Sequence, residues 1–205
     1  MRQLLTVIAV VLALGVASAT AASNEFVSVW VSPTAKPLDF IGRKVAAVVI
    51  VDALDLQMSA EEALAREISA RGPIAVPSYR IVPRPDLKSA ERAKGWFERN
   101  NIQGMVVLRV VNTDTQKVYS SVVYTSAYYA NGWDYWGYGW TSVVPIGKAR
   151  TEKTVTVETL LYDLRSGGPI WAGVTSTTNP KDPQSYMKEL AKDVVKKLRD
   201  AKLTK

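Results

Sequence analysis

Five carboxylates are the side chains of this sequence best suited to do chemistry. The chain contains neither histidine nor cysteine. Nucleophile systems that need either residue are therefore excluded, and a structural zinc site has no good ligands. Acid–base chemistry by paired carboxylates is what remains. The candidates are Asp52, Asp55, Asp134, Glu158 and Asp163.

Two of these carboxylates stand where α/β folds often bind ligands. Asp52 and Asp55 follow an apolar run, and ligands commonly bind beyond the carboxyl ends of such strands. An aspartate at this position more often forms a turn or caps a helix. The sequence by itself therefore makes them weak candidates.

The other acidic residues favour ion pairs over catalysis. Glu158 and Asp163 lie on a predicted hairpin and could pair with Arg109 or Arg165. No dinucleotide, P-loop or serine-nucleophile motif is present. We therefore predict a protein that is not an enzyme, with no catalytic residue, cofactor or metal. The alternative, a carboxylate-dependent hydrolase, requires two of the five candidates to converge in one cleft.

The segment YYANGWDYWGYGW, residues 128–140, carries seven aromatic rings and three glycines. Its rings could close one end of the sheet as a folded lid, since each can bury about 150–250 Å². They could instead form an exposed patch that binds a ligand or partner. A third interpretation is contact with a membrane interface, where Trp and Tyr are enriched.

We predict that this segment is an aromatic loop with two roles. Glycines at 132, 137 and 139 weaken regular structure, so at least two rings of its central part should stay exposed. Tyr128 and Trp140 should pack inward and fix the base of the loop. The predicted binding residues are Trp133, Tyr135, Trp136 and Tyr138.

The N-terminus indicates export. Residues 4–22 carry no charge, and the small residues 17–21 offer A-x-A cleavage sites, which predicts a signal peptide over residues 1–21. The alternative is an uncleaved membrane anchor, because the run could just span a bilayer. Without cysteine, neither a disulfide nor a lipid anchor on an N-terminal cysteine is possible. We expect a periplasmic protein.

The charge indicates an anionic partner other than nucleic acid. The formal net charge of +7 becomes +6 when residues 1–21, which include Arg2 and no acid, are removed. Nucleic acid is the usual partner of a basic protein, but an exported protein seldom meets it. Anionic envelope polymers, lipid head groups or an envelope protein are the expected partners, and part of the charge could serve solubility. The sequence leaves the oligomeric state open.

The strands and helices that must position these residues can be read from periodicity. Residues 44–53 and 104–112 are apolar on both faces, as buried strands are. Further strands are predicted over 26–31 and 117–129, and a hairpin over 152–178. Prolines interrupt residues 73–83, which therefore form either an edge strand or an extended segment. Ser59 and Glu62 form a capping box that predicts a helix ending at Gly72. Asp86 is expected to cap a second helix, over about 87–99, and Asp182 a C-terminal helix over about 183–202.

These elements predict one α/β (α+β) domain over residues 22–205. The expected architecture is a two-layer sandwich with a mixed, mostly antiparallel sheet. About three helices should pack mainly on one face.

The hairpin sequence ETLLYDLRSGGPIWAGVTST carries a pattern, LYD-x-x-SG-x-x-x-W, that is preceded here by the Tyr/Gly/Trp-rich segment. The chain from Phe26 to Leu198 thereby resembles a family of small bacterial envelope proteins, often lipoproteins, that carry a domain of unknown function. The resemblance implies an envelope location and a fold similar to the TolB amino-terminal domain or the periplasmic domain of the curli secretion lipoprotein. It implies no activity. This chain departs from the family by lacking the lipidation cysteine.

The sequence thus predicts a non-enzymatic, exported accessory protein of the bacterial cell envelope that acts by binding. The alternatives are the carboxylate-dependent hydrolase, acting on an envelope polymer, and a structural component of an outer-membrane assembly.

Overall fold

A computed structural model describes residues 24–36, 40–112, 129–143, 154–178, 180 and 182–204. The predicted signal peptide lies outside these ranges. The predicted strand over 117–129, which includes Tyr128, also lies outside them except for its last residue.

Six described strands form one mixed sheet. They are β1 (Glu25–Val31), β2 (Lys44–Ile50), β3 (Ile74–Pro77), β4 (Gly104–Asn112), β5 (Thr154–Asp163) and β6 (Pro169–Thr178), in the spatial order β1-β6-β5-β4-β2-β3. β2 is parallel to β3 and β4, and the other pairings are antiparallel. The predicted fold class, a single domain with a mixed and mostly antiparallel sheet, is confirmed.

The described ranges contain four α-helices: α1 (Leu54–Ser69), α2 (Ala90–Arg99), α3 (Gly132–Thr141) and α4 (Pro183–Asp200). Short 3-10 turns cover Ser78–Arg80 and Arg84–Asp86. About three helices were expected. The additional helix, α3, comes from the aromatic segment.

The helices cover both faces of the sheet, which corrects the two-layer expectation. Along β2, Val45, Ala47 and Val49 point into a core shared with α1 and α4. The alternate residues Ala46 and Val48 point into a second core shared with α2 and α3. A strand that is apolar on both faces requires cover on both faces, since successive side chains point to opposite sides.

Two predicted helix starts are wrong. α1 begins at Leu54, so Ser59 and Glu62 lie inside the helix and form no capping box. α2 begins at Ala90 and is capped by Ser89, whose hydroxyl accepts the backbone N–H of Arg92 at 3.3 Å. Asp86 instead ends the preceding 3-10 turn, where its carboxylate accepts the indole N–H of Trp96 at 2.9 Å.

The C-terminal half follows the prediction closely. β5 and β6 form the expected hairpin, with Gly167 at φ +81 in its turn, a conformation that favours glycine. Asp182 caps α4 by accepting the backbone N–H of Ser185 at 2.7 Å, and Pro183 is the first helical residue. Of the predicted edge strand or extended segment over 73–83, Ile74–Pro77 forms edge strand β3 and Ser78–Arg80 forms a 3-10 turn.

Candidate binding cleft

The aromatic segment is a helix, not a loop. Asn131 caps its start, because the side-chain oxygen accepts the backbone N–H groups of Trp133 and Asp134, both at 2.9 Å. The helix continues through Gly137 and Gly139 to Thr141. The predicted loop over 128–140 is therefore wrong for the described part of that segment.

Two glycines of α3 serve close packing against the sheet. A Cβ on Gly139 would lie 2.4 Å from Cδ1 of Ile50, and one on Gly132 would lie 2.6 Å from Cε of Met105. Neither position has room for a side chain. These glycines therefore bring the helix backbone onto the sheet instead of breaking the helix.

The rings predicted to form an exposed patch are mostly internal. Tyr135 and Trp136 are both 0% exposed, while Trp133 and Tyr138 are half-buried. Trp140, expected to pack inward, is 6% exposed. The prediction of at least two exposed rings among the central four is wrong, because those rings fill the space between α3, α2 and the sheet.

Aromatic contacts hold α3 against α2. The ring of Phe97 meets Trp133 and Trp136 edge-on, with centroids 5.3 and 5.2 Å apart, a favourable geometry for aromatic pairs. The indole N–H of Trp136 donates to the backbone oxygen of Leu87 at 2.7 Å. Helix α3 is thus a fixed wall of the molecule.

A buried polar network ties α3 to the sheet. The Glu158 carboxylate accepts hydrogen bonds from Arg109 Nη1 at 3.1 Å, from the Tyr129 hydroxyl at 3.0 Å and from the Tyr135 hydroxyl at 3.2 Å. The Arg109 guanidinium also lies 4.5 Å from the ring centroid of Tyr138. The predicted pairing of a hairpin carboxylate with Arg109 is confirmed, and Arg165 pairs with Asp163 at 2.8 Å.

The tyrosines of this network stay protonated. Burial raises the pKa of Tyr135 well above its ordinary value, and the negative charge of Glu158 raises it further. The pKa of Tyr162 is raised for the same two reasons. Both hydroxyls therefore act as hydrogen-bond donors, and Tyr162 donates to the backbone oxygen of Tyr129 at 3.2 Å.

A cleft of about 530 Å³ opens beyond the carboxyl end of β2; we call it the β2 cleft. It lies between the start of α1, the 3-10 turn at Arg84–Asp86 and the end of α3. Its apolar lining includes Val51, Leu87, Trp140 and Val143. Its polar lining includes Asp52, Gln57, Arg84 and Lys88.

The polar lining of the β2 cleft carries two cations and one anion. Arg84 and Lys88 are exposed, and neither forms an ion pair with another described residue. Asp52 is the single acidic residue of the lining. The cleft thus offers two positive groups beside an apolar wall, an arrangement that suits a ligand with an anionic group and an apolar face.

The back of the cleft is polar and buried. Trp140, on one wall, has a buried indole N–H without a hydrogen-bond partner among the described residues. Gln57 is 3% exposed and donates to Glu61 Oε1 at 3.1 Å. The amide side chain of Gln57 thereby connects the cleft to an interior carboxylate.

Glu61 joins three elements behind the cleft. Its carboxylate accepts the Val49 backbone N–H at 3.1 Å, the Ser78 hydroxyl at 2.7 Å and the Tyr79 backbone N–H at 2.9 Å. β3 ends at Pro77, opposite Ala47, so on that side of β2 no strand lies beside Val49. Burial raises the pKa of Glu61 to about 7, although these hydrogen bonds oppose the shift.

A second, smaller cleft of about 340 Å³ lies at the opposite end of the strands, where β4 begins and β5 ends; we call it the Trp133 cleft. It is bounded by the end of α2, the start of α3 and the β5–β6 turn. Its lining includes Lys94, Phe97, Asn101, Gln103, Trp133 and Arg165. Of the four predicted binding residues, Trp133 is the one that lines either cleft.

The five candidate carboxylates do not come together. Asp52 alone is among the residues that line the β2 cleft. Asp55 and Asp134 are exposed in the first turns of α1 and α3, while Glu158 and Asp163 are held in ion pairs. Among the described residues, no group of three or more acidic side chains is placed to hold a metal ion. The geometry that the hydrolase alternative requires is absent from this set.

Sequence reasoning missed the cations of the β2 cleft. Arg84 lies between Pro83 and Pro85, and Lys88 lies in the link to α2. Nothing in their spacing relates them to Asp52 or Trp140, because the fold alone brings these positions together. Buried Glu61 was missed for a similar reason, since it occupies an ordinary polar position in a helical repeat.

The chain matches no protein-family model and no curated protein. Among solved structures it is similar to a PelC dodecamer from Paraburkholderia phytofirmans, with 18% identity and a TM-score of 0.44 over 82% of this chain and 95% of that chain. A single-residue variant of that dodecamer gives 15% identity and a TM-score of 0.47, over 82% of this chain and 94% of that chain. Within the described residues, no helix is both long and apolar enough to cross a membrane.

Proposed function

We propose that this protein is a non-enzymatic, exported binding protein of the bacterial cell envelope, and that the β2 cleft holds an anionic group of its ligand. The observation that carries the proposal is the pair of cations, Arg84 and Lys88, beside the apolar wall that contains Trp140. The ligand class that fits is an anionic envelope polymer. The sequence supports the location, through the apolar N-terminal segment that precedes the domain.

The position of the cleft supports a binding role. It opens beyond the carboxyl end of β2, the strand between parallel neighbours β3 and β4, where open α/β sheets commonly bind ligands. Its floor and walls are fixed in place by the Glu61 hydrogen bonds and by the packing of α3. A preformed site loses less conformational freedom on binding.

The scattered carboxylates support a non-enzymatic role over the hydrolase. Acid–base hydrolysis of a glycosidic bond uses two carboxyl groups that flank that bond. Asp52 has no second acidic residue beside it in the cleft lining.

The third alternative, a component of an outer-membrane assembly, would use the sheet edge for docking, and edge strand β1 does expose Val27, Val29 and Val31. It stays a prediction.

Calorimetric titration with galacturonic acid dimer tests the proposal, with the neutral galactose dimer as the comparison ligand. We expect the acid to bind more tightly than the neutral sugar. Arg84→Ala/Lys88→Ala should weaken binding of the acid about a hundredfold or more, because each of the two charge-assisted hydrogen bonds lost contributes about 1.5–3 kcal/mol. Equal binding of the two sugars would count against the proposal.

A charge-matched variant controls for loss of long-range attraction. Lys188 and Lys196 are exposed on α4, which packs on the opposite face of the sheet from α2 and α3. Lys188→Ala/Lys196→Ala changes the net charge equally and should bind the acid as the wild type does. Equal weakening by both double variants would mean that net charge, and not the cleft, holds the ligand.

A further inference from the structure

The two clefts lie at opposite ends of one helix pair. The β2 cleft contains Lys88, two residues before α2 begins, and Trp140, near the end of α3. The Trp133 cleft contains Phe97, near the end of α2, and Trp133, near the start of α3. The helices therefore run antiparallel between the clefts, and Trp133 and Trp140 are seven positions apart on α3, which is about 10.5 Å along the helix axis.

Between the two clefts the helices meet at two small residues, Gly137 of α3 and Ala90, the first residue of α2; we call this contact the seam. A Cβ on Gly137 would lie 3.8 Å from Cβ of Ala90, and both residues are half-buried. Apart from the chain neighbours of Gly137, Ala90 supplies the one described side chain that comes within 4 Å of the added Cβ. The surface between the clefts therefore has its smallest residues where a ligand would cross.

The two clefts offer different chemical groups to a ligand, cations in the β2 cleft and an aromatic ring with amides in the Trp133 cleft. The β2 cleft has two cations outside any ion pair with the described residues. In the Trp133 cleft, Arg165 pairs with Asp163 at 2.8 Å and Lys94 lies 3.9 Å from Glu98. Its distinguishing groups are the half-buried ring of Trp133 and the amides of Asn101 and Gln103. An aromatic face beside amide groups suits a hydroxylated ring.

We propose that the two clefts are subsites for one extended anionic polysaccharide, which crosses the seam at Ala90 and Gly137. An acidic group binds at Arg84 and Lys88, and a sugar ring further along the chain stacks on Trp133. This inference rests on the proposed function of the β2 cleft and adds a second subsite, a path and a minimum ligand length. Joining two sites through one ligand raises affinity without any new contact at either site.

The test is a titration with galacturonic acid oligomers of two to eight units, followed by calorimetry. For the wild type, affinity should rise about tenfold or more once the oligomer reaches both clefts. Gly137→Phe should remove this rise by obstructing the seam, while the affinity for the dimer stays unchanged. Gly137→Ala is the matched control and should keep the full length dependence, because a Cβ there meets its neighbour at an ordinary contact distance.

Two further variants keep the test decisive if Gly137→Phe fails to fold. Ala90→Gln places bulk on the other side of the seam, and Trp133→Leu removes the ring platform. Each should flatten the length dependence and leave dimer binding unchanged. A melting temperature close to that of the wild type shows that the variant is folded.

Each outcome separates the two proposals. If the dimer binds but affinity does not grow with length, the clefts are not subsites of one polymer, and the proposed function of the β2 cleft survives. If no oligomer binds, the proposed function fails as well. If polyglutamate shows the same length dependence and the same sensitivity to Trp133→Leu, the ligand class is a polyanion without sugar recognition, and the polysaccharide assignment is overturned.

Discussion

Arg109 and Glu158 occupy paired positions on β4 and β5, and their side chains meet at 3.1 Å with exposures of 5% and 0%. Helix α3 lies over this pair and contributes the hydroxyl of Tyr135 and the ring of Tyr138 to it. The aromatic segment is thus attached to the sheet through a buried charge pair, and its position fixes one wall of the β2 cleft.

Breaking that pair from one side should destabilise the protein strongly. Arg109→Met leaves the Glu158 carboxylate buried without its cation, so the free energy of unfolding should fall by about 3–5 kcal/mol. Arg109→Met/Glu158→Gln should recover part of the loss. Arg165→Met is the control, because the Arg165 side chain is 53% exposed in its ion pair. This substitution should lower the free energy of unfolding by about 1 kcal/mol or less. Urea denaturation measures all three; equal losses for Arg109→Met and Arg165→Met would contradict the burial argument.

Removing a central ring of α3 should also destabilise the fold. Trp136 is 0% exposed and contacts Phe97, Trp133 and Trp140. Trp136→Ala should lower the free energy of unfolding by about 3–5 kcal/mol. Trp133→Ala should lower it by less, because Trp133 is half-buried. Thermal and urea melts check this. An unchanged melt for Trp136→Ala would restore the hypothesis that this ring belongs to an exposed patch.

The glycines of α3 should respond oppositely to the same substitution. Gly139→Ala places a Cβ 2.4 Å from Cδ1 of Ile50, and overpacking of this kind costs about 1–3 kcal/mol. Gly137→Ala has room and should stabilise the helix by about 0.5–1 kcal/mol. Ile50→Val removes the clashing atom, so Gly139→Ala/Ile50→Val should be more stable than Gly139→Ala alone. Failure of this rescue would show that α3 does not pack on β2 as described.

Glu61 should make stability depend on pH between about 4.5 and 7. Its pKa is raised from 4.5 to about 7 by burial, so the folded state retains a proton that the unfolded state releases. The stabilisation is complete below pH 4.5 and is lost as pH rises through 7, with a total on the order of 3 kcal/mol. Glu61→Gln should remove this dependence, while exposed Glu91→Gln should leave it unchanged. A pH profile that is the same in both variants would disprove the assignment to Glu61.

The buried strands and the pairing of a hairpin carboxylate with an arginine could be predicted from the sequence, because an apolar run and a charge inside such a run are visible in a short stretch. β2 and β4 are apolar on both faces, and a lone arginine within β4 indicates either a carboxylate partner or a position at the edge. The hairpin turn with Gly167 and the Asp182–Pro183 cap are short-range signals of the same kind. The turn and the cap are decided by residues near one another in the chain, whereas Arg109 and Glu158 lie 49 residues apart.

The aromatic helix and the cleft could not be predicted, because both depend on contacts between distant segments. Gly132 and Gly139 lower helix propensity, but each allows an approach to the sheet that a Cβ would block. A helical period shows that one side of a helix is apolar without showing which face of the sheet it covers. Arg84, Lys88 and Trp140 line one cleft only after two separate turns and α3 have packed.

The most direct test of the proposed site follows the indole N–H signals of the tryptophans by NMR during titration with galacturonic acid dimer. Trp140 lines the β2 cleft, whereas Trp171 is 0% exposed in the core on the opposite face of the sheet. Substitution of each by Phe assigns the two signals. The proposal predicts that the Trp140 signal shifts with a saturable dependence on ligand and that the Trp171 signal does not move. In Arg84→Ala/Lys88→Ala the Trp140 shift should require correspondingly higher ligand concentrations. A saturable shift of other signals with Trp140 unmoved would contradict binding in the β2 cleft.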